Sequence, residues 1–136
     1  MNTAKQQLVA HGVHPSVQRI AIMKYLMEHR THPTVDTIYT DLLATIPTLS
    51  RTTVYNTLEL LCEKNVVMPL TIDKRNVRYD GCVKPHAHFM CRCCGRVFDV
   101  ELSEHVRAHL YDSDRFVIEK VELNSTGLCP DCAGKK

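Results

Sequence analysis

Two Cys-x-x-Cys pairs, Cys91/Cys94 and Cys129/Cys132, constrain this chain more than any other feature. A two-residue gap lets both sulfurs of a pair reach one ion while backbone amides turn toward them. Two such pairs complete a tetrahedral site of four thiolates, whose expected occupant is structural zinc. Residues 95–128 separate the pairs, a longer interval than a compact ribbon uses. An ion held there would tie the first hairpin of the C-terminal half to its tail. A thioredoxin-like redox pair or a disulfide would account for one pair but not for two.

The rest of the composition says how to read those thiols. A chain of 136 residues holds one domain, or two small ones. Residues 1–8 lack an apolar leader core, and nowhere is there a run of roughly 18 apolar residues of the kind that spans a bilayer. A cytoplasmic protein with no membrane partner is therefore expected, in a compartment where thiols stay reduced. Seven cysteines, an odd number, then argue for metal ligation or redox chemistry over a disulfide framework. Cys62 falls on the apolar side of a predicted helix and reads as a small core residue, whereas Cys82 and Cys93 are possible redox thiols. The net charge of +2 is nearly neutral, so any surface for nucleic acid must be local. Gly81-Cys82-Val83-Lys84-Pro85 interrupts the periodic segments on both sides. It divides the chain into a domain over 1–80, a hinge over 81–85 and a second domain over 86–136.

The first domain has the pattern of a winged helix-turn-helix. A short polar helix over residues 2–11 is ended by Gly12. A second begins at Pro15-Ser16 and carries Ile20, Met23, Tyr25, Leu26 and Met27 up to His29. A third opens at Pro33-Thr34, with Ile38, Leu42 and Ile46 at four-residue spacing, and stops at Pro47. Ser50 is the expected N-cap of the fourth. Val54, Leu58 and Leu61 share one face of that helix, while Arg51, Thr52, Tyr55 and Asn56 crowd its first turns with groups that hydrogen-bond. Such a helix offers what base edges and phosphates bind. Val66–Ile72 and Val77–Asp80 then read as a hairpin with Lys74 and Arg75 at its basic tip. The combination places the fourth helix in a major groove of double-stranded DNA and the hairpin, as the wing, against phosphate.

The second domain reads as mixed α and β structure, which makes the whole chain α+β. Strands are expected over 86–91, 96–100 and 116–123, with a short helix over 103–111. So short a segment cannot bury a large core alone, and a metal staple or a partner subunit is expected. His86-Ala87-His88 puts two imidazoles on one side of an extended strand. Asp80 and Asp99 lie close in sequence, and His32 sits in the loop before the third helix. Nitrogen and carboxylate donors of this kind suit Fe2+, Mn2+ or Zn2+.

These motifs run in order along the chain: His32-Pro33-Thr34 with Ile38-Tyr39, Thr53-Val54-Tyr55-Asn56 with Leu58, Arg78-Tyr79-Asp80, His86-x-His88, Cys91-x2-Cys94-Gly95 with Asp99, and Cys129-x2-Cys132. In that arrangement the sequence resembles the ferric uptake regulator family over nearly its whole length, and most of all its peroxide-sensing branch. The resemblance implies a homodimeric, metal-dependent transcriptional repressor that binds an inverted-repeat operator and is not an enzyme. It implies a regulatory metal, Fe2+ or Mn2+, held between the domains by His32, Asp80, His86, His88 and Asp99. It also implies that peroxide acts through iron-dependent oxidation of His32 or His86. Iron-sensing members more often have glutamate near position 99 and an acidic residue where Ala87 stands. Three other readings are set against this: an iron, zinc or manganese uptake regulator, a thiol-based repressor using Cys82 and Cys93, and a non-haem iron enzyme. The last has no evident general base or substrate pocket.

Overall fold

The computed structural model describes residues 3–82 and 86–134. The chain divides into two compact units, Met1–Val83 and Lys84–Lys136. Val83, Lys84 and Pro85 of the expected hinge lie outside the described residues.

In the first unit the helices are α1 (Ala4–Ala10), α2 (Val17–Glu28), α3 (Val35–Leu43) and α4 (Arg51–Glu63). Each starts behind a Ser or Thr whose hydroxyl accepts a free first-turn amide: Thr3 from Gln6, Ser16 from Arg19, Thr34 from Thr37 and Ser50 from Thr53. Gln6 also reaches back to the Thr3 amide at 2.8 Å, so the short α1 gains the capping box that its Thr3-x-x-Gln6 pattern allows. The helices meet in one core of fully buried side chains, with Leu8, Ile22, Leu26, Ile38, Val54, Leu58 and Leu61 at its centre. The expected α2 face is buried at Met23, Tyr25 and Leu26, with Ile22 joining it and Met27 left exposed. Likewise α3 closes at Leu43, ahead of Pro47, and a turn at Thr45 and Ile46, both donating to Leu42 O, leads out of it.

Strands β1 (Met68–Leu70) and β2 (Arg78–Asp80) pair antiparallel as the wing, Leu70 opposite Arg78 and Met68 opposite Asp80. At the tip, Asp73 accepts from the Arg75 amide at 2.9 Å and from Arg78 Nε at 3.2 Å. These bonds hold the Asp73 carboxyl below its ordinary pKa, with the Arg75 amide the larger cause. Lys74 and Arg75 remain exposed beside it.

The second unit holds β3 (Ala87–Cys91), β4 (Val97–Val100), α5 (Glu104–Ala108) and β5 (Leu123–Gly127). Its sheet order is β4-β3-β5, with β3 antiparallel to β4 and parallel to β5. Two expectations are corrected here. The helix predicted over 103–111 is only Glu104–Ala108, behind the N-cap Ser103, and buries none of its residues. The strand predicted over 116–123 is absent. Phe116 and Val117 are exposed, and the strand forms later from the polar run Leu123-Asn124-Ser125-Thr126-Gly127. The reason lies in the cysteines: Cys129 must arrive beside Cys91, so the residues before it run alongside β3, as far as Cys91 opposite Gly127. A Cβ at Gly127 would stand 3.3 Å from the Phe89 ring, which explains a glycine in a strand.

Removing the centre of the first core tests this packing. Leu58→Ala should cost about 2–5 kcal/mol and lower the urea midpoint of the first unit accordingly. An unchanged midpoint would contradict the burial of Leu58.

Candidate metal centres

The loop before α3 turns sharply at His32, a non-glycine residue at φ 57°. That left-handed conformation costs a histidine about 1–3 kcal/mol and persists only where neighbours enforce it. Two of its neighbours lie on the wing. Arg78 Nη1 donates to His32 O at 3.2 Å, and the Tyr79 amide donates to Pro33 O at 3.0 Å. The loop is thereby laced to β2, and His32 Nε2 comes within 3.5 Å of Asp80 Oδ2. Both side chains are buried. Asp80 is steadied through its other oxygen by Arg30 Nη2 at 3.3 Å and the Cys82 amide at 2.8 Å. Gly81 makes the position possible: a Cβ there would lie 3.2 Å from the backbone oxygen of Leu26 in α2.

The second unit assembles a matching set. His88 faces Asp99 across the β3–β4 register. The Nε2 atoms of His86 and His88 converge on one oxygen, Asp99 Oδ1, at 3.2 Å and 3.4 Å. The rings meet edge to face with centroids 4.4 Å apart. His88 is buried, while Asp99 is exposed. Each unit thus carries a cluster of imidazole nitrogen and carboxylate oxygen, the donor chemistry of Fe2+, Mn2+ or Zn2+.

The sulfurs of Cys91, Cys94, Cys129 and Cys132 lie within 4.8 Å of one another. Zn–S bonds of about 2.3 Å in a tetrahedron set sulfurs roughly 3.8 Å apart. Cys94 Sγ and Cys129 Sγ are separated by 3.9 Å, close to that spacing, and four thiolates so grouped are the donor set of structural zinc. Cys91 is the pivot: its sulfur accepts the Cys94 amide at 3.5 Å and the Cys129 amide at 3.4 Å. Those amides hold the Cys91 thiol well below its ordinary pKa, as a thiolate ligand requires. Gly95, at φ 77°, closes the first knuckle by donating to Cys91 O at 2.9 Å.

The remaining sequence candidates have these places. Arg51, Thr52, Tyr55 and Asn56 are exposed on the first two turns of α4. Arg51 Nε meets Asp36 at 2.8 Å and its guanidinium lies over the Tyr39 ring, while Tyr55 donates to Glu59 at 2.8 Å. Cys62 packs at the edge of the core, Cys82 is half-buried and Cys93 is exposed. Sequence reasoning missed Arg30 and Arg96, which act on sites distant in the chain. Arg78, on β2, is tied by the fold to His32 and Asp73.

Comparison with known proteins agrees with this architecture. A model of the ferric uptake regulator family matches residues 10–126. The peroxide operon regulator of Bacillus subtilis is 32% identical over 141 aligned residues, covering 100% of this chain and 95% of that protein. The solved structure of the peroxide-sensing PerR from Streptococcus pyogenes superposes with a TM-score of 0.54 at 26% identity, covering 97% of this chain and 94% of the other. The ferric uptake regulator Fur of Helicobacter pylori, a structure with three functional metal binding sites, shares the fold with a TM-score of 0.75 at 20% identity, covering 95% and 88%. No helix among the described residues is long and apolar enough to cross a membrane.

The four-sulfur cluster makes a direct prediction. Cys91→Ser or Cys132→Ser should abolish stoichiometric zinc binding and lower the melting temperature of the second unit, because the knuckles fix β5 beside β3. A variant that keeps normal melting without zinc would remove the staple from this account.

Proposed function

The chain belongs to the ferric uptake regulator family, and on that premise we propose that it is a metal-dependent, DNA-binding repressor that senses hydrogen peroxide. It is a transcription regulator, not an enzyme. The observation that carries the finer reading is the way the nitrogen and oxygen donors are shared out. His32 and Asp80 stand on the unit with the winged helix, and His86, His88 and Asp99 stand on the other. One ion held by all five couples residues 1–80, the DNA-binding domain, to residues 86–136, the dimerisation domain, across the hinge at 81–85. Binding the ion then favours one disposition of the two winged helices of a homodimer, the one that matches an inverted-repeat operator. Zinc at Cys91, Cys94, Cys129 and Cys132 serves the fold and takes no part in the switch.

The exposed first turns of α4 support base readout by Arg51, Thr52, Tyr55 and Asn56, and the exposed wing tip supports phosphate contact by Lys74 and Arg75. Peroxide sensing is favoured over metal-supply sensing by Asp99, Ala87 and the peroxide-responsive relatives at 32% identity. A ferrous ion held by His32, Asp80, His86, His88 and Asp99 would supply the electron that reduces hydrogen peroxide. His32 and His86, as direct ligands, would be the groups nearest to that oxidation, and an oxidised imidazole is a poorer ligand.

Two experiments bear on this reading. Arg51→Ala should weaken operator binding with metal content unchanged, whereas removing Lys74 or Arg75 should lower the salt slope of binding by about one unit per contact. Operator affinity equal to wild type in all three variants would mean that α4 and the wing are not the interface. Iron-loaded protein treated with dilute peroxide should lose operator binding and gain one oxygen atom on the peptide holding His32 or His86, while manganese-loaded protein resists. Oxidised Cys82 or Cys93 with intact histidines would replace this mechanism by a thiol switch. Undiminished DNA binding by the iron form would leave a regulator of metal supply.

A further inference from the structure

Arg96, immediately before β4, touches both cysteine pairs. Its Nε donates to Cys94 Sγ at 3.4 Å. Its Nη2 donates to Cys129 Sγ at 3.7 Å and to Asp131 Oδ2 at 3.1 Å. The backbone is fixed as well, because Arg96 O accepts the Cys91 amide at 3.0 Å. The guanidinium carbon lies 5.4 Å from the centre of the Phe98 ring. One side chain therefore spans the first knuckle, the second knuckle and the residue before Cys132, with an aromatic ring beside its guanidinium. A rigid fork of donors is suited to this, and a lysine ammonium is not.

Charge gives the contact its chemical meaning. Four thiolates around a divalent cation carry two surplus negative charges, and sulfur lone pairs with the highest electron density are the first attacked by an electrophilic oxidant. Charge-assisted hydrogen bonds draw that density toward the donor. Partners of this kind, one step out from the ligands, orient the ligands and tune the metal.

We propose that Arg96 is a positioning residue of the four-thiolate centre, holding the two knuckles in register and lowering the nucleophilicity of the Cys94 and Cys129 sulfurs so that the centre resists peroxide. The inference rests on the zinc reading above. The step it suppresses is the oxidation of two ligand thiolates by one peroxide: two thiolates, one hydrogen peroxide and two protons give one disulfide and two waters, and the zinc is released. A peroxide sensor needs this protection, since its fold must survive the oxidant that its regulatory site detects.

The test compares full-length, zinc-loaded wild type with Arg96→Ala, Arg96→Lys and Asp131→Asn. Zinc affinity is read by competition with a chromophoric chelator, and zinc release is timed under a fixed excess of hydrogen peroxide. Arg96→Ala should bind zinc about 10- to 100-fold more weakly and release it faster under peroxide, with unchanged far-ultraviolet circular dichroism. Arg96→Lys should recover only part of the loss, because an ammonium cannot fork onto two sulfurs. Asp131→Asn keeps both sulfur contacts and should stay within about threefold of wild type, the scale of an exposed ion pair. Wild-type affinity and release in Arg96→Ala would overturn the inference. So would an equal loss in Asp131→Asn, which makes the ion pair the staple, or full rescue by lysine, which makes charge alone sufficient. Wild-type protein that holds no zinc would overturn the zinc reading itself, and this inference with it.

Discussion

The second unit depends on where the sulfur of Cys91 points. That atom ends the central strand β3, is buried, and accepts an amide from each knuckle, Cys94 on one side and Cys129 on the other. Between the knuckles run two strands, a helix that buries none of its residues and an exposed apolar stretch, none of which supplies a core comparable to that of the first unit. Burial of a few side chains at roughly 25 cal/mol per Å² does not offset the entropy of ordering so many residues. Ligation does what packing cannot, by holding distant parts of the chain together at one point. The register of β5, the exposure of Phe116 and Val117 and the glycine beneath Phe89 all follow from that requirement.

The first unit is held together in the opposite way. Its helices are capped by Ser and Thr and share one apolar core. Its buried histidine and carboxylate lie in one seam, where the loop at His32 is laced to β2 through Arg78 and Tyr79. The lacing sets a strained histidine and a buried carboxylate side by side, on an element that continues into the wing. A site placed on the wing's own strand is well placed to influence the orientation of the surface that the wing carries.

Much of this was legible in the sequence, for physical reasons that differ from place to place. Helices α2, α3 and α4 announce themselves by an N-cap followed by apolar residues at helical spacing, and both cysteine pairs by ligand spacing alone. His86 and His88 could be grouped because strand geometry puts alternate residues on one side. What stayed hidden depends on contacts across long stretches of chain. Arg30 reaches Asp80 and Arg96 reaches Cys129, pairings that no local pattern encodes. The misplaced last strand has the same origin. Phe116-Val117-Ile118 carries the stronger β-propensity, yet the polar run at Leu123–Gly127 pairs with β3 because it leads directly into Cys129. Tertiary demand overrides local preference there.

The parallel pairing of β3 with β5 also fixes an order of events during folding. The first unit is made of helices closed by neighbouring turns, contacts that form early because little chain must be gathered to make them. In the second unit the hairpin of β3 and β4 can close locally, but its other edge waits for residues far downstream, and the entropy of closing that long loop is spent before any pairing repays it. During synthesis the N-terminal unit is complete while β3 still lacks one neighbour, with its free edge and the Cys91 and Cys94 thiols awaiting the last knuckle. Zinc captured by the first pair alone would hold the Cys91–Cys94 knuckle of that half-built hairpin until the tail brings Cys129 and Cys132 to complete the site.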